Sequence, residues 1–142
     1  MNFEQTEIQI TTKNKGFYLI TPLIEEQFKQ INNYKIGLLH LFIKHTSASL
    51  TINENADPTV REDLQSYFDK YVPENEPYYK HTFEGSDDMP AHIKSTIIGS
   101  NLTIPISNGK LQLGTWQGIY LCEHRKSPHR RKIIATINGE KL

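Results

Sequence analysis

Glu7, Gln9 and Thr11 alternate with Ile8 and Ile10, the period-two pattern of a strand with one buried face. Phe17 to Ile20 reads as a second short strand after Asn14-Lys15-Gly16, and the two are expected to form a hairpin. Thr21-Pro22 sets a hydroxyl cap before a proline at the first helical position, and Ile24, Phe28 and Ile31 follow on one face, which predicts a helix. Ile36 to Lys44 is apolar on both faces apart from His40, so it is expected as an interior strand covered on both sides. Odd-numbered Leu39, Leu41 and Ile43 then give way to even-numbered Ala48, Leu50 and Ile52, which predicts a bulge or break near Thr46. Asp57-Pro58 repeats the cap-plus-proline signal, with Val60, Leu64, Phe68 and Tyr71 at helical spacing behind it.

From Val72 to Met89 no periodicity survives, and an irregular stretch of that length inside a compact domain is expected to be functional. Asp88 is expected to cap a short helix through Pro90, His92 and Ile93 that Gly99 ends. Leu102 to Ile106 and Lys110 to Leu113 flank Asn108-Gly109, a strong hairpin signal, and further strands are expected at Gly118 to Glu123 and Arg131 to Ile137. The sum is an α+β fold of mixed or antiparallel sheets with two main helices in the first half, in one domain spanning 1–142.

The chain's 142 residues suffice for a real core. Sixteen Lys and Arg balance sixteen Asp and Glu, so no global field draws the protein to nucleic acid or membrane, and any anion site must be local. A single cysteine, Cys122, rules out an internal disulfide and fits a reducing compartment. The N-terminus has no signal-peptide pattern, and no apolar run approaches the roughly 20 residues of a membrane span, so a cytoplasmic location is expected.

Candidate chemistry concentrates in two central stretches. His45, His81 and His92 sit at element ends or in the irregular stretch, among Thr46, Ser47, Ser49, Glu84, Asp87 and Asp88. Imidazoles with such partners suit a divalent metal, zinc or magnesium, although the spacing equally describes plain polar surface. Glu84, Asp87 and Asp88 suit metal binding or general acid–base work, or no more than a helix cap. His40, inside an apolar strand, is expected to be structural. The run from His124 to Lys132 is the only basic one; its arginines suit a phosphorylated small molecule or a solvated turn, and no RNA-recognition or helix-turn-helix pattern accompanies it.

Three segments, HTSASLTINENADPTVREDL (His45 to Leu64), HTFEGSDDMPAHIKS (His81 to Ser95) and LGTWQGIYLCEHR (Leu113 to Arg125), closely resemble the YjbQ family over nearly the whole chain. The resemblance implies a small α+β protein that assembles as a homotrimer, with a weak thiamine-phosphate synthase activity. It places His45, His81 and His92 around a metal and Glu84, Asp87 and Asp88 in the same pocket. Gln117 and Arg125, joined by Arg130, become candidates for phosphate, with His124 as a further member. The implied reaction joins a pyrimidine diphosphate to a thiazole phosphate with loss of pyrophosphate. A non-catalytic metal- or ligand-binding trimer would use the same residues.

Overall fold

The computed structural model describes residues 1–142. Eight strands run β1 (Asn2–Thr12), β2 (Gly16–Leu19), β3 (Tyr34–Ile43), β4 (Ala48–Glu54), β5 (Asn101–Ser107), β6 (Lys110–Leu111), β7 (Gln117–Glu123) and β8 (His129–Lys141). The helices are α1 (Thr21–Gln27), α2 (Pro58–Tyr71) and α3 (Asp88–Ile98), with a 3-10 turn at Lys29–Asn33. All strand pairs are antiparallel, in a five-stranded sheet of order β1-β8-β3-β5-β6 and a three-stranded sheet of order β2-β7-β4.

Alternation builds the core. Ile8 and Ile10 of β1, Leu39, Leu41 and Ile43 of β3 and Ile133, Ala135 and Ile137 of β8 join Ala48, Leu50, Ile119 and Leu121 of the smaller sheet in one buried cluster, with Ile24, Phe28 and Ile31 sealing it. The central strand β7 is buried from Gly118 to Glu123, because its second face is covered too. There Phe68 of α2 meets Phe17 at 6.5 Å between ring centroids, and Arg61 bonds the Tyr120 hydroxyl at 2.9 Å. Ile119, Leu121 and Glu123 therefore face the sandwich interior, while Tyr120, Cys122 and then His124 face the helices.

Several expectations are corrected. β1 and β2 do not form a hairpin; β1 pairs with β8 and β2 with β7, so Asn14-Lys15-Gly16 carries the chain from one sheet to the other. The parity switch after Ile43 marks the break, not the bulge, of the two expected alternatives: β3 ends at Ile43 and β4 starts afresh at Ala48 in the second sheet. β3 is interior by pairing, yet Ile36, Leu38 and Phe42 leave its outer face open, with Phe42 51% exposed. Thr21 caps nothing; its hydroxyl accepts from the Ile119 N–H at 2.8 Å, and α1 lasts only seven residues.

The second-longest helix, α3, lies in the second half of the chain, contrary to the expected placement of both main helices. Asp57 does cap α2, accepting from the Thr59 N–H at 3.0 Å. The β5–β6 turn is as expected, with Asn108 at φ 49° and Gly109 at φ 76°, and it docks on β3 through a 2.7 Å bond from the Gly109 N–H to the Tyr34 carbonyl. No helix is long and apolar enough to cross a membrane.

Candidate functional site

Helix α3 supplies the centre of the polar cluster. At about 100° per residue, Asp88 and His92 share one stripe, while Asp87, Pro90 and Lys94 share another. Asp88 is 1% exposed and does not serve as a cap. Its Oδ2 lies 2.8 Å from His81 Nε2 and 3.2 Å from His92 Nε2, and the two imidazole centroids are 5.3 Å apart. Its Oδ1 accepts from Arg125 Nη1 at 2.9 Å. These three residues present one ligand atom each within 4.8 Å of one another, a spacing that a single metal ion can bridge.

The surroundings hold this geometry. His92 Nδ1 is 2.9 Å from the Thr46 carbonyl, which can only accept, so that nitrogen carries the proton. Arg125 also donates from Nε to Asp87 Oδ2 at 3.0 Å and from Nη2 to the Glu84 carbonyl at 3.0 Å, tying the irregular stretch to the start of α3. Burial pushes the Asp87 carboxyl up, but the Lys126 N–H and the Arg125 guanidinium outweigh it and hold the acid below its ordinary range. His81 is half exposed and borders a cleft of about 340 Å³ shared with Tyr79, Thr82 and Met89.

Other residues singled out by the sequence stand apart. His45 Nε2 accepts from the Lys132 N–H at 2.8 Å, which commits that nitrogen to β8 and leaves His45 outside the His81–Asp88–His92 group. Burial, then the Arg131 charge, lowers its basicity. The Glu84 side chain is exposed, and only its backbone carbonyl takes part. Gln117 starts β7 and accepts from the Gly114 N–H, about 20 Å along the strand from Glu123 at about 3.4 Å per residue. The Arg125 guanidinium is committed to Asp87, Asp88 and Glu84, and Arg130 projects from the exposed outer face of β8. His40 is exposed between Thr103 and Asn138, not in the core.

Two buried arrangements were not legible as units. Glu123 and Arg131 form an ion pair at the end of the sandwich interior, satisfied further by the Thr12 hydroxyl and by Ser47. On the helix side, His124 Nε2 lies 2.8 Å from Ser49 Oγ, and burial first, then the Lys94 charge, pushes its basicity down to about 3. Lys94 of α3 pairs with Asp69 of α2 at 2.8 Å. The stripe shared by Asp87, Pro90 and Lys94 was the available signal.

A family model described as UPF0047 protein YjbQ-like matches residues 6–140. The UPF0047 protein YjbQ of Salmonella typhimurium is 53% identical over 136 residues, covering 96% of this chain and 98% of that protein. The crystal structure of an uncharacterized conserved protein of the YjbQ/UPF0047 family from Clostridium acetobutylicum matches with a TM-score of 0.83 at 41% identity, covering 94% of this chain and 99% of that one. A protein of unknown function from Sulfolobus solfataricus gives 0.83 at 25% identity, covering 98% and 100%.

Proposed function

The chain belongs to the YjbQ-like UPF0047 family, and we propose that it is a metal-dependent enzyme acting on a phosphorylated small molecule, with zinc held by His81, Asp88 and His92. The observation that carries this reading is the hydrogen bond of His92 Nδ1 to the Thr46 carbonyl. The Nδ1 proton is spent there, so in the neutral ring Nε2 is a bare lone pair facing the Asp88 carboxylate at 3.2 Å. Two acceptors at that distance repel unless a cation lies between them. A carbonyl on the far nitrogen and an arginine on the far carboxylate oxygen are the outer partners that orient metal ligands.

Ligand atoms about a tetrahedral zinc with bonds of roughly 2.0–2.1 Å stand about 3.3 Å apart. The separations from Asp88 Oδ2 to the two imidazoles, 2.8 and 3.2 Å, need little adjustment. Two nitrogen donors favour zinc over magnesium, which prefers an all-oxygen shell. Three protein ligands leave a fourth position for water or substrate, next to the cleft that His81 borders. A metal there would polarise a phosphoryl oxygen or generate hydroxide near neutral pH. It would serve hydrolysis, or the loss of pyrophosphate in thiamine-phosphate synthesis.

Metal analysis of untagged protein dialysed against zinc tests the reading. One bound zinc per chain is expected, falling to background in His81→Ala and His92→Ala, and turnover of a pyrimidine diphosphate with a thiazole phosphate should fall with it. Wild-type protein that takes up no zinc would refute it.

A second reading, a self-associating binding protein without turnover, is favoured by the apolar outer face of β3. Ile36 is 58% exposed there, beside Leu38 and Phe42. Sedimentation should give a trimer, and Phe42→Asp should shift it to monomer. A monomeric wild type would remove that reading.

A further inference from the structure

A second polar cavity, of about 300 Å³, opens on the other side of α3 from the His81–Asp88–His92 group. The two lie on different stripes of the same helix, since Asp87 lines the cavity while its neighbour Asp88 belongs to the cluster. The β1–β2 connection contributes Lys15 to it, α2 contributes Asp69, α3 contributes Lys94, and the chain after β7 contributes His124 and Lys126.

Its three lysines, Lys15, Lys94 and Lys126, face three acids, Asp69, Glu74 and Asp87, but they are not spread evenly over them. Lys15 Nζ and Lys94 Nζ lie 2.9 and 2.8 Å from the same oxygen of Asp69, which also accepts from Gln65 at 3.0 Å. Two ammonium groups therefore share one carboxylate. The two other acids at the wall are already matched, Glu74 by Lys126 and Asp87 by Arg125. Lys94 is 2% exposed, and of its three N–H donors only one has a protein acceptor. His124 is equally buried and has no protein partner for Nδ1, its other nitrogen being engaged with Ser49. A buried ammonium and a buried imidazole that keep unspent hydrogen-bonding capacity toward a cavity carry a desolvation cost that an incoming acceptor relieves.

We propose that this cavity is an anion site for a phosphoryl group, with Lys94 and Lys15 supplying the charge and His124 Nδ1–H a neutral donor. A phosphoryl group offers several acceptor oxygens to the donors that converge on the cavity. Burial first, and the Lys94 cation after it, keep the His124 ring neutral beside the cavity. The assignment rests on the reading of a phosphorylated ligand given above, but it replaces the arginines with lysines as the phosphate partners and does not depend on the metal.

The test uses protein stripped of metal with a chelator and titrated with inorganic phosphate at constant ionic strength, followed by proton–nitrogen NMR. Saturable shifts are expected at the Lys94 and Lys126 amides and at the His124 ring, with chloride giving none. Lys94→Met should weaken binding by about tenfold or more, and Lys15→Met, in the β1–β2 connection and outside the hydrophobic core, by several-fold. Shifts that grow without saturating, or folded variants that bind phosphate like the wild type, would overturn the proposal. So would saturable shifts centred on His81 and His92. Because the protein is metal-free, failure of the zinc reading leaves this result unchanged.

Discussion

Replacing His124 with asparagine should remove about 2 kcal/mol of the stability that the protein loses between about pH 8 and about pH 5. In the folded state burial and the neighbouring Lys94 charge hold the imidazole neutral down to about pH 3, against an ordinary value of 6.5 in the unfolded chain. Between those two values the unfolded state binds a proton that the folded state refuses, so stability falls as the pH falls. The loss starts near pH 6.5 and runs at about 1.4 kcal/mol per pH unit. At pH 5 the deficit is therefore about 2 kcal/mol. The depressed carboxyls work in the same direction but lower on the scale, since Glu123 and Asp87 start from ordinary values of 4.5 and 3.8. Urea unfolding of wild type and His124→Asn at pH 8, 6.5 and 5, in phosphate-free buffer at one protein concentration, measures the difference. Equal losses in the two proteins would show that His124 is already charged or exposed, and would refute the burial argument.

Glu123→Gln should destabilise the protein by about 3–5 kcal/mol in chemical unfolding, because it strips the buried Arg131 of its counter-charge. A loss below about 1 kcal/mol, the ordinary worth of a surface pair, would mean that water reaches the site. Arg125→Lys keeps the charge but loses the fork that grips Asp87, Asp88 and the Glu84 carbonyl, and zinc affinity measured by chelator competition should fall by about 10- to 100-fold. Gly109→Ala should lower stability by more than about 1 kcal/mol, since its φ is 76° and a Cβ would stand 2.7 Å from the Asn32 carbonyl. An unchanged melting temperature would contradict the turn geometry.

Much of the architecture was legible because it follows from local periodicity. Val60, Leu64 and Phe68 behind Asp57-Pro58 make α2, Asn108-Gly109 makes the β5–β6 turn, and the alternation through Ile8 and Ile10 makes β1. Pairing was not legible, since backbone hydrogen bonds carry no side-chain address. β1 finds β8 more than a hundred residues away, and not β2 next to it. The parity switch near Thr46 announced a bulge or break, and only the pairing shows that it is a break at which the chain changes sheets.

The cluster divides along the same line. His81, Asp88 and His92 carry their chemistry in the sequence, and the i,i+4 spacing of Asp88 and His92 already places two of them together. That His81 joins them and His45 does not is decided by tertiary packing, which lays the irregular stretch over α3 and hands His45 Nε2 to the Lys132 N–H. Lys94 and His124 are separated by thirty positions and share no motif, and only the packing of α3 and α2 over β7 sets them on one cavity. The sequence by itself determined which groups are available and which local elements carry them. The tertiary structure alone decided which of those groups are desolvated together, because burial and opposed charges depend on long-range pairing.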